Sequence, residues 1–317
     1  MDLKIHFLDD GRGDVAIIDV GEHEIIVDGG FSTRVLHDYN RDNKVIDGPI
    51  DLIIMTHADS DHWRGLRRIL GFDTIGTHPH SMLEFWEPGY NRDCDAGSSA
   101  TRNYLDFIEE VEEIDAAIRR RPLEDFIEPA VNHGDLEHVT LPNFPEVKLT
   151  LLHSEKEPAG GDCSYQINNA SIVFMAEIDT FRFLFAGDAN GKERDELGPG
   201  TPGHVEAMLL DLEESHPGIL KAHLLKAPHH GSETASTQAF IDAVDPEIVV
   251  FSASTVHGLP RTTVVERYNP NERKILRTDR TSGNDNDHIL CEMKSGTLVC
   301  AYGRYLSSRS LGKSGES

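Results

Sequence analysis

The feature that most constrains this chain is the run Thr56-His57-Ala58-Asp59-Ser60-Asp61-His62. It follows a mostly apolar run, 50–55, of the kind that forms a strand buried under helices on both faces. Two imidazoles and two carboxylates therefore fall at the carboxyl end of a strand, where α/β proteins place their sites. Such a mixed donor set suits Zn²⁺, Mn²⁺ or another divalent ion. The alternative is a solvated polar loop in which these four residue types share the spacing by accident.

Two further segments place metal-ligand residues directly after apolar runs. Asp188 follows the run 181–186, and Gly187 lets the backbone approach closely there, although an Asp after a strand is also a common helix cap. His229 and His230 follow the run 222–227. Adjacent histidines point in different directions, so one would bind metal while the other faces substrate. A carboxylate such as Asp188, placed between two ions, could bridge them as in two-metal hydrolases.

The order of predicted elements favours a layered α/β fold. Short strands with tight turns open the chain, and strand–loop–helix units bracketed by β-hairpins follow. Apolar residues at spacings of three and four predict an amphipathic helix over 103–121, which ends in three arginines at 119–121. We therefore predict a single domain over 1–317 with a helical insertion at about 78–146.

Together these motifs resemble the metallo-β-lactamase superfamily, and more narrowly the hydrolase domain of the ComEC/Rec2 competence proteins. The resemblance is carried by the run 56–62, by Phe-Ala-Gly-Asp at 185–188 and by Pro-His-His-Gly-Ser at 228–232. The Phe-Leu-Asp-Asp-Gly-Arg-Gly-Asp segment at 7–14 is similar to the opening of the narrower branch. The resemblance implies an αβ/βα sandwich of two mixed β-sheets flanked by helices, with the metal site at one edge.

The resemblance also implies a division of ligands between two ions. One ion would be bound by His57 and Asp59, the other by Asp61, His62 and one histidine of the 229–230 pair, and Asp188 would bridge them. We favour His230 as the ligand and His229 as the phosphate-facing group.

The sequence departs from the family pattern at two places. Asp59 stands where the superfamily more often has His, which favours Mn²⁺ beside Zn²⁺. The loop before the 171–186 hairpin offers Asn169 where an imidazole is expected, and His133 or His153 could replace it.

A metal ion lowers the pKa of bound water toward 7, and Asp61 could orient the resulting hydroxide as a general base. A cationic His229 would stabilise developing charge. Substrate contacts are expected from Ser232, Lys226, Asn169 and His257, although Lys226 could instead be a solvated lysine at a strand edge. These expectations describe a metal-dependent phosphodiesterase or nuclease. The alternatives are a hydrolase of a small cyclic nucleotide, phosphoester or lactone, and a catalytically weak subunit whose insertion binds a protein partner.

The charge limits how a nucleic-acid substrate could be held. The 317 residues include 55 acidic and 30 basic side chains, giving a formal net charge of −25. Such a surface repels nucleic acid and anionic membranes, so a phosphate-bearing substrate must be captured locally. The arginines at 119–121 could form a basic lip, or could merely offset a helix macrodipole.

The cysteines and the amino-terminal sequence indicate where in the cell the protein is expected. The four cysteines form no Cys-x-x-Cys pair, so free thiols are expected, although Cys291 and Cys300 would lie opposite each other in a hairpin and could be bridged. There is no apolar window of about 18 residues and no signal-peptide pattern. We therefore expect a cytoplasmic protein that does not span a membrane.

Overall fold

The computed structural model describes residues 2–72, 81–114, 119–122, 138–141, 144–159, 161–194, 196, 198–253, 257–279 and 287–303. For 119–122, 138–141 and 144–145 only the backbone is described. The strands are β1 (Leu3–Phe7), β2 (Ala16–Val20), β3 (His23–Val27), β4 (Ile50–Ile54), β5 (Met82–Glu87), β6 (Arg119–Pro122), β7 (His138–Leu141), β8 (Phe144–His153), β9 (Val173–Ile178), β10 (Phe181–Phe185), β11 (Leu224–Lys226), β12 (Ile248–Phe251), β13 (Lys274–Arg277), β14 (Ile289–Lys294) and β15 (Thr297–Tyr302). The helices are α1 (Val35–Asn43), α2 (Ser60–Trp63), α3 (Leu66–Ile69), α4 (Ser99–Glu113), α5 (Cys163–Asn169), α6 (His204–Ser215), α7 (Gln238–Val244) and α8 (Thr262–Arg267), with 3₁₀ turns at Asp93–Asp95 and Pro228–Gly231.

The strands form two mixed sheets. The first has the order β15-β14-β1-β2-β3-β4-β5-β6, and the second has the order β13-β12-β11-β10-β9-β8-β7. In the first sheet the strands from β3 to β6 pair in parallel, and in the second those from β10 to β13 do. The remaining neighbours are antiparallel.

Side-chain alternation along the strands builds the layers. In β4, Leu52 and Ile54 point into an apolar cluster between the two sheets, while Ile53 packs with helix residues such as Leu66. On the outer face of the second sheet, α6 and α7 cover a third apolar cluster. Because a strand directs successive side chains to opposite faces, one buried strand can serve both a sheet–sheet and a sheet–helix interface. The predicted sandwich of two mixed sheets flanked by helices is confirmed.

The segment 78–146 contains more strand than predicted. Its helix α4 covers Ser99–Glu113, and Ser98 caps it by accepting a hydrogen bond from Thr101 N at 3.0 Å. The predicted helix end, 119–121, instead lies in β6, which pairs in parallel with β5 and so extends the first sheet. The apolar spacing carried the helix prediction too far, because backbone pairing with β5 takes over after the helix ends. The division of the chain into a single domain stays a prediction.

The helical segment after β4 is divided into α2 and α3 around Gly65. A Cβ at Gly65 would lie 1.8 Å from the carbonyl oxygen of Gly29, so the close approach of two backbones excludes a side chain there. Gly29 N also donates to His62 O at 2.5 Å. This contact fixes the entry of the helical segment against the end of β3.

The expectation of free thiols is wrong. Cys291 and Cys300 are directly opposed in the β14–β15 hairpin, with Cα atoms 3.9 Å apart, and form a disulfide. Cys94 and Cys163 form a second disulfide across 69 residues of sequence, which no local pattern could reveal. The second bridge joins the loop after β5 to the start of α5. The cytoplasmic location, which rested partly on free thiols, stays a prediction.

Within the described residues, no helix is both long enough and apolar enough to cross a membrane.

Candidate metal centre

The candidate site lies where several strand ends meet. Asp28 follows β3, the segment His57–His62 follows β4, Asp188 follows β10, and the pair His229–His230 follows β11. Parallel strands end at the same edge of a sheet, so the two sheets bring their post-strand loops together at one edge of the sandwich. The apolar strands thus position polar side chains that are far apart in sequence.

Three buried imidazoles surround the carboxylate of Asp188. The Nε2 atoms of His57, His62 and His230 lie 3.7, 3.6 and 3.4 Å from an oxygen of Asp188. Among the described residues, none gives a hydrogen bond to these buried Nε2 atoms or to the buried Oδ1 of Asp188. Buried polar atoms are nearly always satisfied, so four such atoms facing one point indicate a site for a ligand that binds them all.

The opposite ring nitrogens are held by two carboxylates. His62 Nδ1 lies 2.8 Å from Asp28, which also accepts from the backbone N–H and the hydroxyl of Thr56 at 2.7 Å each. His230 Nδ1 lies 3.1 Å from Asp14 and 3.0 Å from the carbonyl of Ser252. Contacts of this kind fix a ring's orientation and leave Nε2 free to bind a metal.

The sequence motifs did not predict that Asp14 and Asp28 orient metal-binding histidines. The available signal for Asp28 was its position at a strand end before Gly29-Gly30, and Asp14 stands just before β2. Neither position indicates by itself which histidine the carboxylate supports, because that partner comes from another strand end.

The electrostatics of the cluster keep Asp188 ionised. Burial alone would raise its pKa, but the surrounding imidazoles outweigh burial and hold the pKa well below its ordinary value. Burial also opposes the charged form of His230, yet Asp188 and Asp14 raise the pKa of that imidazole to about 9. Burial and the neighbouring His62 lower the pKa of His57. The site therefore has a fixed anion at its centre.

These residues fit a divalent metal ion. Three imidazole nitrogens and a carboxylate are a donor set that Zn²⁺ and Mn²⁺ accept. Asp61 adds a further carboxylate, since its Oδ2 lies 3.9 Å from His230 Nε2 and its side chain is 19% exposed. Donor atoms of Asp61, His62 and His230 all lie within 4.8 Å of one another, as do those of His57, His62 and Asp188. These two overlapping groups share His62, and they contain the residues that would bind metal, with Asp61 on the solvent side.

The predicted ligand Asp59 is engaged elsewhere. Its Oδ1 lies 2.5 Å from a guanidinium nitrogen of Arg92, which also donates to the carbonyl of Ala58 at 3.0 Å. The rest of that guanidinium contacts Asp95. Among the described residues, Asp59 joins none of the groups that could bind a metal. Its partner Arg92 comes from the loop after β5, whose contribution the sequence did not indicate.

The structure separates the two adjacent histidines. Both have left-handed backbone conformations, with φ of 48° at His229 and 52° at His230, which turn the two rings apart. His230 lies inside the cluster, whereas the His229 side chain is 19% exposed, with Nε2 4.0 Å from Asp188. Thr234 and Asn168 contact its two ring nitrogens at 2.8 and 3.3 Å. Burial lowers the pKa of His229, so the ring is neutral near pH 7, contrary to the expected cation.

The predicted substrate contacts have mixed outcomes. Ser232 lies near His229, because its hydroxyl accepts a hydrogen bond from the Thr234 hydroxyl at 3.1 Å. Lys226 is buried in an ion pair with Asp14, so it is neither a solvated lysine nor free to contact substrate. His257 is exposed, and no described contact joins it to the cluster.

Asn169, which stands where an imidazole was expected, and His153, one of its proposed replacements, do not join the cluster either. Asn169 is bound to Ala159 O at 2.6 Å and to Asn190 at 2.9 Å, while its neighbour Asn168 is the one that reaches His229. His153 is buried and its Nδ1 contacts Ser171 O at 2.9 Å, and it belongs to no described metal-binding group. His133 lies outside the described residues.

Comparison with solved structures shows the fold. The metallo-beta-lactamase fold protein YhfI of Bacillus subtilis is 11% identical to this chain, with a TM-score of 0.51 over 92% of this chain and all of that one. Igni18, a metallo hydrolase of the archaeon Ignicoccus hospitalis, is 12% identical, with a TM-score of 0.48 over 90% of this chain and 98% of that one. Zn²⁺-bound PqqB of Methylobacterium extorquens is 11% identical, with a TM-score of 0.46 over 84% and 85%.

A curated protein matches part of the sequence. The serine/threonine-protein kinase cot-1 of Neurospora crassa is 33% identical over 110 residues, which is 29% of this chain and 18% of that protein. So short a match carries no activity to this chain.

The family itself is shown by the sequence between the first strand and the loop after β12. A model of the metallo-beta-lactamase superfamily matches residues 8–254, which include the histidine and aspartate cluster and most strands of both sheets. The matched range is well over half of the chain. The chain therefore belongs to the metallo-beta-lactamase superfamily, whose members are metallo-hydrolases.

Proposed function

We propose that the protein is a metal-dependent hydrolase of phosphodiesters. The observation that carries the proposal is the convergence on the ionised carboxylate of Asp188 of three buried imidazole nitrogens that have no hydrogen-bond partner in the described part of the chain. A divalent ion bound there would lower the pKa of its bound water and would place a positive charge close to the substrate.

The residues around the ion have separable tasks. Asp61 is the partly exposed carboxylate of the site, so it is placed to accept a proton from a nucleophile that enters from solvent. His229 lies at the rim, where Thr234 and Asn168 contact its two ring nitrogens, and a neutral ring there can donate one hydrogen bond to a substrate oxygen in place of one of these contacts. Asp28 and Asp14 hold His62 and His230 in orientation.

A phosphodiester is favoured over a neutral ester by the similarity of residues 7–14 to the ComEC/Rec2 branch. Either metal, Zn²⁺ or Mn²⁺, suits the donor set. The first candidate substrate is a nucleic-acid strand. The excess of acidic residues favours a second candidate, a small phosphodiester such as a cyclic nucleotide, because a small substrate meets less of the repelling surface.

Hydrolysis of two substrates tests the proposal. The full chain, loaded with Zn²⁺ or Mn²⁺, is incubated with bis(p-nitrophenyl) phosphate and with labelled single-stranded DNA, beside Asp61→Ala. We expect the wild-type protein to hydrolyse the small ester, and Asp61→Ala to lose roughly a hundredfold in rate. Cleavage of the small ester but not of DNA would favour the second candidate. Equal rates for the two proteins would refute the assigned site.

A third possibility is a weakly catalytic subunit that binds a protein partner through the segment 78–146. That outcome would be indicated by a well-folded protein that binds less than one equivalent of metal and hydrolyses neither substrate.

A further inference from the structure

The guanidinium groups of two arginines lie against the same aromatic ring, beside the metal centre. The guanidinium carbon of Arg12 lies 4.1 Å from the ring centroid of Phe31, and that of Arg64 lies 4.3 Å from it. The two cations can be no farther apart than the sum of these distances. Like charges at this range repel each other, and the electron-rich ring offsets only part of that repulsion. The arrangement therefore favours an anion that contacts both groups.

No carboxylate supplies that anion within the described part of the chain. Neither guanidinium makes an ion pair with a described Asp or Glu, and Arg12 Nε is buried there without a hydrogen-bond partner. Asp10 instead accepts hydrogen bonds from the backbone N–H groups of Gly13, Phe31 and Ser32 at 3.1, 2.8 and 3.0 Å. The chain has 55 acidic and 30 basic side chains, so its composition predicts that neighbouring arginines would form ion pairs with carboxylates.

The pair is joined to the loops that form the metal centre. Arg12 stands two residues before Asp14, whose carboxylate contacts His230, and Arg64 stands two residues after His62. Asp14 N donates to Asp61 O at 3.2 Å, and Gly65 N donates to Gly30 O at 3.0 Å. Backbone hydrogen bonds thus fix the positions of both arginine-bearing loops relative to the metal ligands.

We propose that Arg12 and Arg64 form an anion clamp that binds a phosphate group of the substrate next to the one undergoing hydrolysis. Guanidinium groups match phosphate oxygens with paired, charge-assisted hydrogen bonds, and the Phe31 ring holds both in position before binding. The clamp rests on the proposed function and narrows its substrate to a chain of phosphodiesters. It also supplies the local capture that a net charge of −25 requires.

The position of the clamp differs from the basic lip expected from the sequence. The arginines at 119–121 lie in β6, of which only the backbone is described. Arg12 and Arg64 are 52 residues apart in sequence and become neighbours because the β1–β2 loop and the end of α2 both pack against residue 31.

Binding of a short fluorescent oligothymidylate to the metal-loaded full chain tests the clamp. Fluorescence anisotropy is measured for the wild type, for Arg12→Gln/Arg64→Gln and for Phe31→Leu, between about 50 and 200 mM salt. Arg102→Gln/Lys44→Gln, which removes two exposed charges elsewhere, is the matched control. Circular dichroism and bound metal are measured for every variant, and a gel shows that the strand remains intact.

We expect the double arginine variant to bind at least roughly tenfold more weakly, with a salt slope reduced by about 0.7, the value for the loss of one phosphate contact on a single strand. Phe31→Leu keeps both charges and is expected to show a smaller loss with a nearly unchanged slope. The control variant is expected to bind like the wild type.

Equal weakening in the control and the double arginine variant would overturn the clamp, since net charge alone would then explain the effect. Absence of measurable binding by the wild type at low salt would overturn it too. Hydrolysis of bis(p-nitrophenyl) phosphate tests the proposed function separately. A protein that binds the strand through its arginines but does not hydrolyse this ester would support the clamp and refute the hydrolase assignment.

Discussion

Arg92 binds Asp59 through a 2.5 Å contact and so removes one of the predicted ligands from the metal centre. The guanidinium is buried, has a second carboxylate partner in Asp95, and belongs to a loop anchored by the Cys94–Cys163 disulfide. A buried, doubly paired arginine is not easily displaced, because separating the pair leaves an uncompensated charge. Asp59 therefore lies outside the described groups that could bind a metal, whereas the motif implies that it is a ligand.

Asp59→Asn should therefore change metal affinity little, by less than about threefold, whereas Asp61→Asn should lower it by roughly tenfold or more. Isothermal titration with Zn²⁺ measures both variants against the wild type. Loss of a bound equivalent in Asp59→Asn would show that Asp59 leaves Arg92 and ligates an ion.

The contact between Asp28 and His62 predicts an effect from outside the ligand set. Asp28→Asn removes the carboxylate that orients the ring through Nδ1, and metal affinity should fall by about 10- to 100-fold. Asp38→Asn, a change at a partly exposed carboxylate on α1, is the matched control. Affinities that agree for the two variants would contradict a positioning role for Asp28.

The backbone contact at Gly65 predicts an effect on stability. Gly65→Ala places a Cβ within 1.8 Å of Gly29 O, so the free energy of unfolding should fall by about 3 kcal/mol. Gly161→Ala, at an exposed position with nothing within 4 Å of the added Cβ, should change it by less than about 0.5 kcal/mol. Urea unfolding followed by circular dichroism compares the two, and equal stabilities would refute the contact.

His288 predicts a pH dependence of stability. Its Nδ1 accepts a hydrogen bond from Asp9 N at 2.8 Å, and burial lowers its pKa to about 4. The unfolded chain, with an ordinary pKa near 6.5, then binds the proton more readily than the folded one. The neutral ring therefore makes its full contribution to the free energy of unfolding above about pH 6.5. This contribution declines by about 3 kcal/mol as the pH falls to 4.

The His288→Asn variant keeps an acceptor but does not titrate, so it isolates this contribution. Its unfolding free energy should fall less steeply than that of the wild type between about pH 6.5 and 4. Other titrating groups are common to both proteins and cancel in the difference. Parallel curves would show that His288 is not responsible.

The predictable parts of the molecule were those encoded within single segments. The apolar run before Thr56 and the histidines at 229–230 placed the ligands at strand ends, because strand and loop are adjacent in sequence. Asp14, Asp28 and Arg92 act on residues from other strand ends, and the Cys94–Cys163 bridge spans 69 residues. Such pairings depend on sheet order, which a single sequence does not contain.

The end of α4 was misplaced for the same reason. Apolar spacing continues past Glu113, but parallel pairing of 119–122 with β5 turns that stretch into an edge strand. Helix periodicity describes one segment alone, whereas the choice of a strand depends on a partner elsewhere in the chain.

In the proposed function, Asp188 and its three imidazoles bind the metal on which phosphodiester hydrolysis depends. The most direct test of this assignment is a titration of chelator-treated wild type and Asp188→Asn with Zn²⁺ or Mn²⁺, in which bound metal and bis(p-nitrophenyl) phosphate hydrolysis are measured on the same samples. We expect wild-type activity to return in proportion to bound metal, while Asp188→Asn stays folded and loses roughly a hundredfold in both metal affinity and rate. A folded Asp188→Asn protein that binds metal and hydrolyses the ester like the wild type would contradict the assignment.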